Sequence, residues 1–231
     1  MSERMVLVRH GDGPEDDRVV QWVRNNGLIA DTRRPFQGDM LGDVTDDVLG
    51  TVIYGGMYNA YDTEKHPFLN EEYRWIGAAL GAGVPVLGIC QGAQMIAWHL
   101  GAWAGAPEHG SHEFGFYRVS ATEGAEWFLP NPLHFTQAHF HTFDLPEGAE
   151  HLARSALFKN QAFRIGQRVY GLQFHAECGY DAFRRWQKGN TSYGQPGAQT
   201  QEEQDTLGPQ IDAAQHAWFM AFMDRLFGAA V

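Results

Sequence analysis

The chain has 231 residues, 44% hydrophobic and 19% charged, with 28 acidic against 17 basic side chains and a formal charge of −11. That balance belongs to a globular protein large enough to bury a substantial core, and it excludes a disordered chain. An acidic chain with no Lys/Arg cluster is not built to track a phosphate backbone, so no nucleic-acid partner is expected.

Met5 to Arg9 predicts a first strand, broken by His10-Gly11-Asp12-Gly13-Pro14. Its apolar run, Met5 to Val8, is too short for the core of a signal peptide. Asp16 to Asn25 predicts a helix with Val19, Val20 and Val23 on one side and Asn26-Gly27 as its C-terminal stop. Leu28 to Thr32 reads as a second strand. Val48 to Tyr54 reads as a third, ending in Gly55-Gly56, where backbone can approach a ligand. Glu71 to Leu80 predicts a helix from the spacing of Trp75, Ile76, Ala79 and Leu80, closed by Ala82-Gly83. This alternation predicts an α/β fold with a mostly parallel central sheet, helices on both faces, and ligands bound beyond the carboxyl ends of the strands.

No formally charged residue stands between Arg74 and Glu108, but Gly81, Gly83, Pro85, Gly88, Gly92 and Gly101 interrupt the stretch. A buried strand and helix are expected there, not a membrane span. Val84, Val86, Leu87 and Ile89 form the apolar run of a buried strand, and from Gln91 the apolar spacing changes to that of a helix, with Ala93, Ile96, Ala97 and Leu100 inward. Cys90 sits at the change, flanked by Gly88 and Gly92, the spacing of a nucleophile elbow with Cys in place of Ser. Such a turn presents an exposed sulfur at a helix N-terminus, where the dipole and free N–H groups favour thiolate and the Gln91 N–H can face an oxyanion. The competing reading is a small buried core cysteine. A chain that needs a free thiolate belongs in a reducing compartment, so a cytoplasmic location is expected, with Cys90 and Cys178 unpaired.

Beyond Phe114 the pattern shifts to short strands, Gly115 to Val119, Phe135 to Phe143, His151 to Ser155 and Gln161 to Ile165, which predict antiparallel hairpins beside the parallel sheet. Leu133 to Phe143 is rich in His and aromatics, and His139 and His141 share a strand face. No third ligand stands at a clear spacing, and no metal site is expected. Val169, Leu172 and Phe174 predict a buried strand with His175 at its end and Glu177 two residues on; on an extended segment both side chains point the same way, so Glu177 can orient His175 as the base of a thiol nucleophile. Asp181 to Gln187 predicts a helix, Gly189 to Thr200 a turn-rich stretch, and Asp212 to Phe227 a final helix with Ala214, Trp218, Ala221, Phe222 and Leu226 inward. No internal repeat or nucleotide-binding signature is visible.

These residues together resemble the class I glutamine amidotransferase domain of the Cys-His-Glu type, with its G-x-C-x-G-x-Q elbow: Gly88, Cys90, Gly92 and Gln94, then His175 and Glu177, and the Gly55-Gly56 pair after strand Thr51 to Tyr54. The resemblance runs from about Val52 to Glu177. It implies one domain over 1–231 with a three-layer, flavodoxin-like α/β fold and an antiparallel extension. By the same resemblance Cys90 attacks the side-chain amide of glutamine, His175 is base and then acid, and Glu177 orients it. The oxyanion lies between the N–H of Gln91 and one near Gly56 or Met57, and Gln94 and His139 serve substrate binding. No cofactor is implied. Stand-alone relatives resemble the glutaminase part of GMP synthase, which implies a separate synthase that accepts ammonia. Three residues depart from the family pattern: Ala176 where Pro is usual, Met57 where Pro or Ser is common, and His141 in place of an acid. Two other functions fit the same residues: a γ-glutamyl peptidase with this triad, and a binding or regulatory subunit without turnover.

Overall fold

Met5 and Leu7 pack into one apolar cluster and Val6 and Val8 into another, the two-residue period of a strand buried on both sides. A computed structural model of the chain describes residues 3–228; the ends of the expected 1–231 domain lie outside the described residues. The parallel half contains β1 (Arg4–Val8), β2 (Ile29–Arg33), β3 (Val48–Ile53), β4 (Val86–Ile89) and, from much later in the chain, β11 (Val169–Leu172). The antiparallel half contains β6 (Glu113–Ala121), β7 (Leu133–His139), β9 (Glu150–Arg154) and β10 (Ala162–Ile165). Together they form one nine-stranded sheet in the order β2-β1-β3-β4-β11-β10-β9-β6-β7. A separate two-stranded ribbon pairs β5 (Ala104–Gly105) with β8 (Thr142–Phe143).

Helices cover both faces. On one, α1 (Arg18–Asn25) and α5 (Gln201–Phe227) supply Val19, Val20, Val23, Phe219 and Phe222 to the cluster that holds Met5, Leu7, Leu87 and Leu172. On the other, α2 (Phe68–Ala82) and α3 (Gln91–His99) supply Trp75, Ile76, Ala93 and Ile96 to the cluster with Val6, Val8, Ile53 and Val86. A third cluster seats Phe183 of α4 (Tyr180–Gln187) against Phe114 and Phe116 of β6. This is the mostly parallel, three-layer α/β architecture with an antiparallel extension that the alternation predicts.

Local chemistry accounts for the helix ends. The Asp17 carboxylate accepts from the N–H groups of Val19 and Val20 and caps α1, and Gly27 follows with φ 69°. Gly83, at φ 68°, closes α2. Thr200 and Glu203 form a capping box at the start of α5.

Five details differ from the sequence-based expectations. The single strand expected over Phe135 to Phe143 is two, β7 and β8, broken at Phe140-His141, so His139 and His141 do not share a strand face. The last helix starts at Gln201 and not at Asp212, because it runs through Gly208-Pro209. Gly208 is required there: a Cβ would lie 2.2 Å from Tyr180 Cε2, so the glycine lets α5 press on α4. The inward face of α5 is Gln215, Phe219, Phe222, Met223 and Leu226, whereas Ala214 and Ala221 face solvent. Leu100 caps α3 and is exposed. The strand before His175 ends at Leu172, so His175 and Glu177 lie on a turn and not on an extended segment. Among the described residues no helix is long and apolar enough to cross a membrane.

The tightest packing is where α3 meets the sheet. A Cβ on Gly92 would lie 2.0 Å from the Ile53 carbonyl oxygen, whereas one on Gly81, in the exposed face of α2, would meet nothing within 4 Å. Gly92→Ala is expected to destabilise the fold by about 3 kcal/mol, roughly 10 °C in Tm, and Gly81→Ala to raise stability by about 0.5–1 kcal/mol. Thermal melts followed by circular dichroism check both; a tolerated Gly92→Ala would mean that the helix can back away from β3.

Candidate active site

Cys90 is the single residue between β4 and α3, with φ 51° and ψ −108°, and among the described residues it is the one non-glycine residue at positive φ. A side chain held there costs on the order of 1–3 kcal/mol and persists only where the surroundings impose it. They do so here: the Cys90 N–H donates to the Leu172 carbonyl at 2.7 Å, and the Cys90 carbonyl accepts from the Gln94 N–H at 3.1 Å. A Cβ on Gly88 would lie 2.6 Å from the Gly92 carbonyl group, so both flanking glycines are steric requirements of the turn. The sulfur is not exposed as the elbow spacing suggests; Cys90 is 6% exposed and lies on the floor of the site. Gln91, first residue of α3, carries an N–H with no intrahelical partner.

β11 pairs with β4 in parallel register, Leu172 opposite Ile89. His175 therefore emerges beside Cys90. Its Nδ1 meets Glu177 Oε1 at 2.8 Å, which leaves Nε2 for the sulfur side. A Cβ on Gly55 would lie 2.7 Å from His175 Cε1 and 3.2 Å from Cys90 Cβ, so the glycine makes room for both side chains. Burial lowers the imidazole pKa, but the Glu177 carboxylate and the Cys90 sulfur outweigh it and raise the group to about 10. Cys178, two residues past Ala176, is buried and its thiol is pushed well up by desolvation.

The turn that carries His175 and Glu177 is fastened from several elements. The His175 N–H donates to the Thr136 carbonyl at 2.8 Å and the Arg18 N–H to the Glu177 carbonyl at 3.0 Å. The Arg18 guanidinium donates to the carbonyls of Ala176 at 2.9 Å and Cys178 at 3.2 Å, and is itself held by Asp212 at 2.6 Å. The Gln215 amide donates to the Cys178 carbonyl at 2.8 Å and accepts from the Thr136 N–H at 2.7 Å. Alongside, Tyr54 donates to Asp17 at 2.9 Å, with Arg9 ion-paired to Asp17 and stacked 4.2 Å over the Tyr54 ring. Burial, with Asp17 beside it, keeps that phenol protonated.

The segment after β3 closes the other side. Gln91 Oε1 accepts from the Tyr58 N–H at 2.9 Å, and a Cβ on Gly56 would lie 2.7 Å from the same oxygen. Met57 is 95% exposed. Gln94 donates to the Gln173 side chain at 3.2 Å. His139 is held by partners of its own. Its Nδ1 meets the His141 carbonyl at 2.9 Å and its Nε2 meets Glu113 at 3.1 Å, so both ring nitrogens are engaged by protein. Glu113 also accepts from Ser155 at 2.6 Å and Gln161 at 2.7 Å, which makes His139 part of a buried polar network. His141, which stands in place of the family's acid, stacks on Tyr61 with centroids 6.3 Å apart, and burial lowers its pKa.

The chain matches the family model for glutamine amidotransferase class I over residues 29–184. It is 31% identical over 192 residues to the glutamine amidotransferase-like protein YfeJ of Salmonella typhimurium, covering 78% of this chain and 77% of that protein. It is 29% identical over 181 residues to the glutamine-hydrolyzing GMP synthase of Streptococcus mutans, covering 76% of this chain but 33% of that protein. A glutamine amidotransferase from Thermotoga maritima superposes with a TM-score of 0.87 at 27% identity, over 99% of this chain and 100% of that one. The chain belongs to the class I glutamine amidotransferases. It is an enzyme of that class with a domain related to the glutaminase part of GMP synthase.

Arg18, Gln215, Tyr54 and Asp17 escape sequence reasoning, since each acts through partners far along the chain. The imidazole titrates near 6.5 in an unfolded chain and at about 10 in the fold. The folded form thus holds the proton more tightly, and this contribution to stability is complete below about pH 6.5 and lost as pH rises through about 10. Urea midpoints should therefore fall between about pH 7 and pH 10 in the wild type, and fall less in Glu177→Gln. Parallel curves would show that Glu177 does not hold the proton on His175.

Proposed function

We propose that Cys90, His175 and Glu177 hydrolyse the side-chain amide of glutamine through a cysteine thioester. The observation that carries this reading is the convergence of sulfur, imidazole and carboxylate at the carboxyl ends of neighbouring strands β4 and β11, in a chain of this family. The thiol proton is held on His175 Nε2 while the sulfur bonds to the amide carbon. The oxyanion is met by the Gln91 N–H and by a backbone N–H at Gly56 or Met57. The C–N bond then breaks as His175 gives the proton to the leaving ammonia. Water, deprotonated by His175, attacks the thioester; glutamate leaves and the thiol is restored. Glu177 fixes the imidazole tautomer throughout.

Residues 1–231 are read as a single glutaminase domain, and Gln94 as a residue that steadies the elbow. The ammonia acceptor is proposed to be a separate synthase. Two relatives support this. The chain matches 33% of the Streptococcus mutans GMP synthase. It is also 29% identical over 141 residues to a subunit of the glutamine-hydrolyzing GMP synthase of Methanocaldococcus jannaschii, covering 59% of this chain and 69% of that polypeptide. The free thiols of Cys90 and Cys178 support a reducing, cytoplasmic setting.

Cys90→Ala is expected to stay folded, since it removes one buried sulfur at a cost of about 1 kcal/mol, and to lose all amide hydrolysis. The test follows ammonia and glutamate release from glutamine, and amine release from γ-glutamyl dipeptides, with and without added synthase subunits. Hydrolysis at the wild-type rate in Cys90→Ala would remove the sulfur from the mechanism. Brisk dipeptide cleavage with negligible ammonia from glutamine would replace the amidotransferase reading by a γ-glutamyl peptidase.

A further inference from the structure

Below the segment that follows β3 lies a buried pair outside the triad. His10, two residues past β1, places Nε2 2.7 Å from Glu72 Oε2 on α2, and neither side chain has any exposure. The pair is a poor stabiliser: His10 Nδ1 and Glu72 Oε1 are both buried with no hydrogen-bond partner. A buried ionisable pair with two orphaned atoms can often be replaced by apolar side chains without loss of stability. Its position suggests what it does.

We propose that His10 and Glu72 are a positioning pair that fixes Gly55–Tyr58, and with it the second oxyanion donor; this rests on the oxyanion role given to that segment above. Gly56 lies directly on the imidazole, since a Cβ there would be 2.4 Å from His10 Cβ and 3.0 Å from His10 Cγ. On its other side the same glycine faces Gln91 Oε1, which also takes the Tyr58 N–H at 2.9 Å. The loop is thus held between His10 and the first residue of α3. The segment runs on into α2, the helix that carries Glu72, so the pair ties the chain just past β1 to the helix that follows the loop. The contact from Nε2 to Glu72 fixes the ring's rotation. A ring free to turn would either push on Gly56 or leave it unsupported. Displacement of a catalytic donor by about 1 Å costs on the order of 10²-fold in rate.

The variants are the double substitution His10→Leu/Glu72→Met, Glu72→Met alone, His10→Gln, whose amide can still donate to Glu72, and Gly56→Ala. Each is measured for Tm, for kcat and KM with glutamine, and for the rate at which iodoacetamide alkylates Cys90. Alkylation forms no oxyanion and so reports the sulfur alone. The double variant is expected to fold, with kcat down about 10–100-fold, KM changed less than about threefold and alkylation unchanged. Glu72→Met should show the same division, which keeps the proposal testable if the double variant does not fold. His10→Gln should recover most of the lost kcat. Wild-type kcat in folded double or Glu72→Met protein would overturn the proposal, as would alkylation that falls together with kcat. Gly56→Ala separates the two levels of the argument. If it lowers kcat while the pair variants do not, only the positioning role fails; if it too leaves kcat unchanged, the oxyanion role of the loop fails.

Discussion

Helix α3 lies against β3 so closely that only hydrogen fits between them at Gly92, and the rest of the site follows from that contact. The chain must reverse from strand to helix within one residue, because a longer turn would lift α3 away from the Ile53 carbonyl that Gly92 faces. Cys90 absorbs the reversal at φ 51°, at a cost on the order of 1–3 kcal/mol. Met95, Ile96 and Ala97 of the same helix, all fully buried, help to offset that cost. The close approach also forces the segment after Ile53 across the N-terminus of α3. That is why Gly55 meets Cys90 and His175, and why Gly56 meets Gln91.

A second consequence is that the half of the site holding His175 and Glu177 can be built from a distant part of the chain with little freedom. β11 enters the sheet beside β4 in register, and Cys90 donates its N–H to the last residue of β11, so the two carboxyl ends are locked together before any side chain is considered. The turn from His175 to Cys178 then has its carbonyls spoken for: Ala176 and Cys178 by the Arg18 guanidinium, Glu177 by the Arg18 N–H, Cys178 again by Gln215. A turn whose backbone is satisfied in this way holds Glu177 against His175 without further reorganisation, the condition under which a fixed dipole is worth most. Arg18 also places a positive charge beside the buried acidic turn, and Asp212 balances it.

The sequence made the elbow legible because its information is local: Gly88, Cys90 and Gly92 are needed within one turn, and the change from strand to helix spacing is visible in the same window. His175 with Glu177 was legible for a similar reason, though the pairing works through a turn and not through strand alternation. The start of α5 was not, because Gly208-Pro209 reads locally as a break and only Tyr180, packed against the glycine, explains the residue chosen there. His139 was read from its neighbours on β7, but its partner Glu113 lies 26 residues away on β6, and both ring nitrogens are taken. Arg18 reaches carbonyls 158 and 160 residues distant, and His10 meets Glu72 across 62. No periodicity reports such pairs, since burial and sheet order create them.

The charge state of His175 orders the proposed chemistry. An imidazole raised to about 10 carries its proton at neutral pH, so the resting site already holds the proton that departing ammonia requires. Desolvation alone would have favoured the neutral ring; the Glu177 carboxylate and the Cys90 sulfur reverse that preference. The proton on the imidazole is therefore held by interactions that exist before substrate arrives. What remains for the protein to supply is stabilisation of the oxyanion. Of the two donors proposed for it, the Gln91 N–H is fixed by the helix, whereas the other lies on the loop after β3. In the proposed chemistry the geometry of Gly55–Tyr58, clasped between His10 and Gln91, sets where the second donor sits, and a small displacement of it is expected to cost rate.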